Sequence, residues 1–255
     1  AFFAGDRERN MSPYISRNIR GIRDLDLLKY AQEVRKNVLL FGDTGPGKTA
    51  IVMAFAAVEQ LPLVTIPCNG GIDPNSFWGS CVFDEATGQP KWQESDVTAV
   101  IRHGGVLYLD EPNFMPPKTA ASFHPLLDAR RMVTIMERGN QRILAHEQTF
   151  IVGSYNPDYE GTRPLNKAFR NRFKIKVLID YSDEVEAKLV MMPVVLEIAQ
   201  KMRAARKNGD LDTPCSTNML VEFEELAVDL GLEFATENFI AAFEADERDA
   251  VKTVF

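Results

Sequence analysis

Residues 37–49 read Asn-Val-Leu-Leu-Phe-Gly-Asp-Thr-Gly-Pro-Gly-Lys-Thr. Within them, Gly42 to Thr49 fit G-x-x-x-x-G-K-[ST], the Walker A phosphate loop. Upstream, Asn37 to Phe41 is a short apolar run of buried-strand character, and downstream Thr49 to Ala57 has no Gly or Pro and reads as a helix. A strand, a turn of Gly42, Asp43, Thr44, Gly45, Pro46 and Gly47, and a helix N-terminus aim successive backbone N–H groups at one spot. The positive end of the helix dipole adds to them. Lys48 is expected to reach the β- and γ-phosphates, and the Thr49 hydroxyl to take one Mg²⁺ position. The expectation is a bound nucleoside triphosphate.

The rest of the chain alternates strands and helices. Leu25–Ala31 predicts a helix before the first strand; Leu63–Ile66, Val106–Leu109, Phe150–Tyr155 and Phe173–Leu178 read as further strands. A turn over Asn69–Pro74 leads to a short helix around Asn75–Trp78, and helices are predicted over 95–103 and Lys118–Asp128. Two hairpins are expected, Cys81–Phe83 with Pro90–Trp92, and Met132–Met136 with Gln141–Leu144, each with Gly in its turn. From Ser182 onward the pattern is helical, broken at Lys207-Asn-Gly-Asp and near Gly231. The reading is an α/β fold with a mostly parallel sheet and an all-helical addition.

Val106-Leu-Tyr-Leu-Asp-Glu111 is an apolar strand ending in two acids, the Walker B pattern. Ligands of an open parallel sheet lie at the carboxyl ends of its strands, which puts Asp110 and Glu111 beside the phosphate loop. Asp110 is expected to hold Mg²⁺ through its water shell, and Glu111 to orient and deprotonate the attacking water. Asn156, closing a later strand, either holds that water or touches the γ-phosphate, or else forms the turn before Pro157. Arg170 and Arg172 end a short helix: they either cap its C-terminus or insert a guanidinium into a neighbouring subunit's site.

Composition sets the bounds. The 255 residues carry a net charge of −7. Residues 207–255 hold twelve acids against three bases, −9, which leaves +2 for residues 1–206 and suggests a boundary before the acidic part. That acidic part is either a solvated helical surface or a docking face for a basic partner. No basic stripe with interleaved aromatics is present, which disfavours nucleic acid as a partner. No apolar run is long enough to span a membrane, and Ala-Phe-Phe-Ala-Gly at the start is too short for a signal sequence, so a cytoplasmic location is expected. Cys68, Cys81 and Cys215 are scattered, and the three histidines lack metal-ligand spacing.

Together GDTGPGKT (42–49), WQESDVTAVIRHGGVLYLDEPNF (92–114), HPLLDARR (124–131), GSYNPDYEG (153–161) and LNKAFRNRF (165–173) resemble the AAA+ ATPases. Within these, the chain is most similar to the MoxR/dynein-related group and its CbbQ/NorQ branch. The resemblance implies an αβα nucleotide-binding domain with a five-stranded parallel sheet over residues 1–180, and a helical lid over 181–255. It implies ATP with Mg²⁺, a hexameric ring, and hairpins (about 80–93 and 131–146) lining the pore face. By motif position Asn156 resembles sensor 1, Arg172 the arginine finger, and Arg170 a second trans arginine. Asn218 stands where the family commonly has the sensor 2 arginine. The branch implies a chaperone-type motor that remodels or activates a protein client, with a von Willebrand factor A domain adaptor. A nucleotide-controlled assembly module with slow hydrolysis is the alternative.

Overall fold

The computed structural model describes residues 14–71, 77–157 and 164–254. Two short strands, β1 (Asn18–Ile19) and β2 (Ile22–Arg23), precede α1 (Asp24–Glu33), β3 (Val38–Phe41), α2 (Lys48–Val58) and β4 (Leu63–Pro67). A hairpin follows, β5 (Gly79–Asp84) and β6 (Gln89–Glu94), then α3 (Asp96–His103) and β7 (Gly105–Asp110). Next come α4 (Pro117–Ser122), α5 (His124–Leu127), a second hairpin of β8 (Met132–Ile135) and β9 (Gln141–Leu144), and β10 (Thr149–Tyr155). Short α6 (Lys167–Arg170) and β11 (Ile175–Leu178) complete this part. The last helices are α7 (Asp183–Leu189), α8 (Pro193–Asn208), α9 (Thr217–Asp229), α10 (Leu232–Ala241) and α11 (Arg248–Lys252).

Five strands pair in the order β11-β3-β10-β7-β4, every pair parallel. The central strands are largely apolar because helices cover both faces of such a sheet, with polar residues gathered toward their ends. Every residue of β10 is buried, as are the first five of β7. Ser95 caps α3 by accepting from the Thr98 N–H, and Gly104 ends that helix at a φ of 92°.

The helix expected over Lys118–Asp128 is two pieces. Pro125 has no N–H to donate back one turn, so the helix breaks at Phe123 and restarts as α5. The expected turn over Asn69–Pro74 and short helix around Asn75–Trp78 fall largely outside the described residues, although Phe77 and Trp78 themselves pack on Phe123. Both expected hairpins are present and antiparallel. Their aromatics behave differently: Trp92 packs on the core, whereas Phe83 is 69% exposed.

By contacts the described residues form two units: 14, 18–41 and the described part of 48–178, and 15–17, 42–47 and 179–254. The second has its own core of Val195, Ile198, Met202, Leu220, Phe223, Phe239 and Phe243. Ser182 and Ser216 cap α7 and α9. Gly209, in the left-handed region at a φ of 85°, ends α8 at the expected break. Buried among these helices, Glu186 accepts from both Arg203 terminal nitrogens at 2.7 Å and from the Thr217 hydroxyl at 2.6 Å.

Removing one partner of a buried pair leaves the other uncompensated, which costs about 3–5 kcal/mol. Glu186→Ala is therefore expected to lower the unfolding free energy by that much, read as a lower denaturant midpoint at an unchanged m-value. A loss below about 1 kcal/mol, the value of an exposed pair, would show that Arg203 finds water instead.

Candidate active site

Parallel pairing decides where the polar groups gather. In register, Ser154 of β10 lies beside Asp110 of β7, and Tyr108 stands two residues before Asp110 on the same side of its strand. The buried Tyr108 hydroxyl lies 3.0 Å from the Thr49 hydroxyl and 2.6 Å from that of Ser154, and donates to Asp110 Oδ1 at 2.9 Å. Ser154 also donates to Asp110 Oδ1, at 3.0 Å. Burial pushes the Tyr108 pKa up, so the phenol keeps its proton. Thr49 and Asp110 are thus joined through two hydroxyls that motif reading passed over. Tyr108 was visible as the same-face neighbour of Asp110, whereas Ser154 required knowledge of strand pairing.

Glu111 follows in the left-handed region, at φ 51° and ψ 54°. Its carboxylate accepts from the Asn156 backbone N–H at 3.2 Å, and from the Asn113 amide nitrogen at 3.0 Å once that amide faces it. Burial raises the Glu111 pKa, with the neighbouring Asp110 charge adding to the rise and the Lys48 ammonium opposing it. Asn156 and Lys48 are both buried. Lys48, Thr49, Asp110, Glu111 and Asn156 therefore belong to one edge of the sheet. The donors of Thr49 and Asp110 are hard oxygens, the chemistry that suits Mg²⁺, with phosphate and water left to complete its shell. No group of three His, Cys, Asp or Glu side chains able to hold a metal ion by themselves occurs among the described residues.

The loop joining β3 to α2 groups with the helices. The Tyr181 hydroxyl donates to the Thr44 carbonyl at 2.7 Å, and the Arg206 guanidinium of α8 pairs with the Asp43 carboxylate. At Gly42, with a φ of 147°, a Cβ would run into the Ile179 carbonyl; at Gly45, with a φ of 85°, it would run into Ser216. Asn218, in the first turn of α9, is exposed. Arg206, and not the position of Asn218, supplies the arginine that touches this loop.

Arg170 and Arg172 sit at the other edge. The Asn37 amide, just before β3, donates to the carbonyls of Leu127 and Arg172, at 2.7 and 3.1 Å. Arg131 donates to Asn37 Oδ1 and to the carbonyl of Thr149, the first residue of β10. These bonds tie the segments 127–131 and 170–173 to the amino ends of the strands. β10 alone spans seven residues, about 20 Å, between that edge and Asn156.

The sequence from 37 to 173 matches the AAA domain of the dynein-related subfamily. The chain belongs to that family. The membership implies nucleotide binding, and with the fold it supports ATP hydrolysis as the activity. A crystal structure from Cytophaga hutchinsonii, of a protein provisionally named an ATPase, superposes with a TM-score of 0.52 at 16% identity, covering 89% of this chain and 78% of that one. An uncharacterized protein of Staphylococcus epidermidis is 28% identical over 232 residues, 85% of this chain and 88% of its own length. One from Staphylococcus saprophyticus is 26% identical, covering 92% of this chain and 94% of the relative. The AAA match spans both edges of the sheet, from Asn37 to Phe173. No helix among the described residues is long and apolar enough to cross a membrane.

A carboxyl whose folded pKa is raised costs stability when ionised, and the cost disappears as pH falls through that pKa. Glu111→Gln is therefore expected to raise the thermal midpoint at pH 7, by an amount that shrinks toward zero near about pH 4, where the wild-type carboxyl is neutral. The acid limb of wild-type hydrolysis should lie above the ordinary glutamate range. Parallel thermal scans and a pH–rate profile check both. A midpoint that falls at pH 7 would contradict the burial argument.

Proposed function

We propose that this AAA protein is a ring-forming, Mg²⁺-dependent ATPase of the CbbQ/NorQ branch that remodels or activates a protein client in the cytoplasm. The observation that carries the ring is the separation of its functional groups. The phosphate, metal and water groups stand at the carboxyl ends of the strands, while Arg172 is anchored at the amino ends. An arginine so placed serves the nucleotide of another copy. Lys48 and the backbone of 42–47 hold the phosphates, Thr49 and Asp110 bind Mg²⁺, Glu111 activates water, and Asn156 positions it. Arg172 neutralises transition-state charge in trans, as arginine fingers do in related enzymes.

Support for a polypeptide client comes from the hairpins. Phe83, Met136 and Leu144 are 69, 73 and 71% exposed. A groove of about 560 Å³ between the hairpins is lined by Trp92, Cys81 and Arg138, with the Arg138 guanidinium 5.8 Å over the Trp92 ring. Such exposed apolar side chains suit a surface that grips a chain. A von Willebrand factor A domain protein is the adaptor the branch implies.

Lys48→Ala should abolish nucleotide binding, whereas Glu111→Gln should bind ATP and fail to hydrolyse it. Arg172→Ala should lose roughly 10³-fold or more in kcat. Mixing it with Lys48→Ala should restore activity, because mixed interfaces pair an intact site with an intact finger. Turnover independent of protein concentration, without rescue, would defeat the ring. Replacing residues 84–89 by Gly should leave basal hydrolysis within a few-fold and remove stimulation by the client. Loss of basal hydrolysis in the folded variant would defeat the pore assignment.

A further inference from the structure

Arg130 and Arg172 reach the same carboxylate from different elements. Asp128, closing α5, accepts from Arg130 three times: from Nε at 3.0 Å, from the second terminal nitrogen at 2.7 Å and from the backbone N–H at 3.1 Å. Arg172 Nε stands 3.7 Å from Asp128 Oδ2, too far for a hydrogen bond, and it is buried with no hydrogen-bond partner. One terminal nitrogen of Arg172 donates to the Ala168 carbonyl at 2.8 Å, which fixes the guanidinium in place. Beside them, His124 Nε2 is buried and also without a hydrogen-bond partner. Burial, followed by the Arg172 charge, pushes the His124 pKa down, so the imidazole adds no positive charge of its own near neutral pH. Two guanidiniums thus share one carboxylate, leaving a net positive charge at the amino edge of the sheet.

Asp128 is held ionised, at a pKa of about 2, chiefly by its hydrogen bond from Arg130. As a source of stability the pair contributes little, because Arg130 is 57% exposed and water screens the attraction. Its consequence is geometric: a flexible arginine is locked into a planar, two-point fork beside Arg172. Arg170, one residue past Phe169, is exposed and makes no side-chain hydrogen bond or ion pair among the described residues.

We propose that Arg130 is a second trans-acting arginine, set beside Arg172 by Asp128 as the positioning residue, and that the pair takes the terminal phosphate of ATP bound to a second copy of this chain. The proposal rests on the trans reading of Arg172 given above and replaces Arg170 as its companion. A phosphate carries more charge than a carboxylate and offers three oxygens, so it suits the terminal nitrogens of the two arginines that Asp128 and Ala168 do not occupy.

The test is steady-state hydrolysis by the full chain, at concentrations where activity per subunit has reached its plateau. Thermal midpoint and affinity for a fluorescent ATP analogue are measured alongside. Arg130→Ala should lower kcat at least tenfold with analogue affinity within threefold, and Arg130→Lys should not restore it. Asp128→Asn should lower kcat several-fold with the midpoint within about 2 °C, and Arg170→Ala should be near wild type. Arg130→Ala mixed with Lys48→Ala should exceed the summed activity of the two alone, whereas Arg130→Ala mixed with Arg172→Ala should not. Wild-type turnover in Arg130→Ala alongside collapse in Arg172→Ala would overturn this inference and leave the ring standing. Wild-type turnover in both would overturn both. Loss in Arg130→Ala without rescue by mixing, or with a midpoint drop large enough to explain it, would make the residue structural and overturn the inference.

Discussion

Parallel pairing of β3, β10 and β7 is the constraint on which the molecule depends. It sets Ser154 opposite Leu40 on one side and Asp110 on the other. A slip of one residue would turn Tyr108, Asp110 and Ser154 to the wrong face and separate all three from Thr49. The same register fixes the amino edge, where Asn37 and Thr149 begin their strands. Their polar groups hold the backbone of Leu127 and Arg172 and the side chain of Arg131. One sheet thus gives two chemically opposite edges, acidic and hydroxyl-bearing at one, arginine-rich at the other.

The acidic edge carries local costs that the packed sheet sustains. Glu111 is a non-glycine residue in left-handed backbone, and its carboxyl is partly withdrawn from water next to a second acid. The left-handed backbone costs about 1–3 kcal/mol, and burial also disfavours the ionised carboxyl. The position of that carboxyl between Asn113 and the N–H of Asn156 supports the water-activating role proposed for Glu111, giving it a fixed direction and a raised proton affinity. The hydroxyls of Tyr108 and Ser154 hydrogen-bond the half-buried Asp110 carboxylate, and the Thr49 hydroxyl meets that of Tyr108, so the withdrawn polar groups all have partners.

Much of this was legible in the chain because the decisive signals are local. The phosphate loop, the acid pair after an apolar strand, and the Gly-turned hairpins each lie within about ten residues, and each is found where its pattern places it. The misses have physical causes. The break at Phe123 comes from Pro125, whose missing N–H interrupts an otherwise helix-forming stretch. Arg206 and Asp43 are 163 residues apart, and no periodicity announces a pair closed by tertiary packing. Asn218 drew attention because of its place in a motif, although the arginine that reaches the loop comes from the preceding helix. The hairpin aromatics split because Trp92 can bury its ring against the core while Phe83, opposite Pro90, faces outward.

Residues 42–47 interrupt one unit in sequence and belong to the other by contact. Their carbonyl, carboxylate and glycine surfaces meet Tyr181, Arg206, Ser216 and Ile179, all beyond the last strand. The segment delimited by family likeness, 37–173, is therefore smaller than the segment that shapes its own anion cradle. A fragment cut after Leu178 would retain every strand of the sheet and lose every one of those supports. Gene fusions, domain swaps and minimal ATP-binding modules drawn from this chain have to carry the helices along, since the glycines alone do not set the loop.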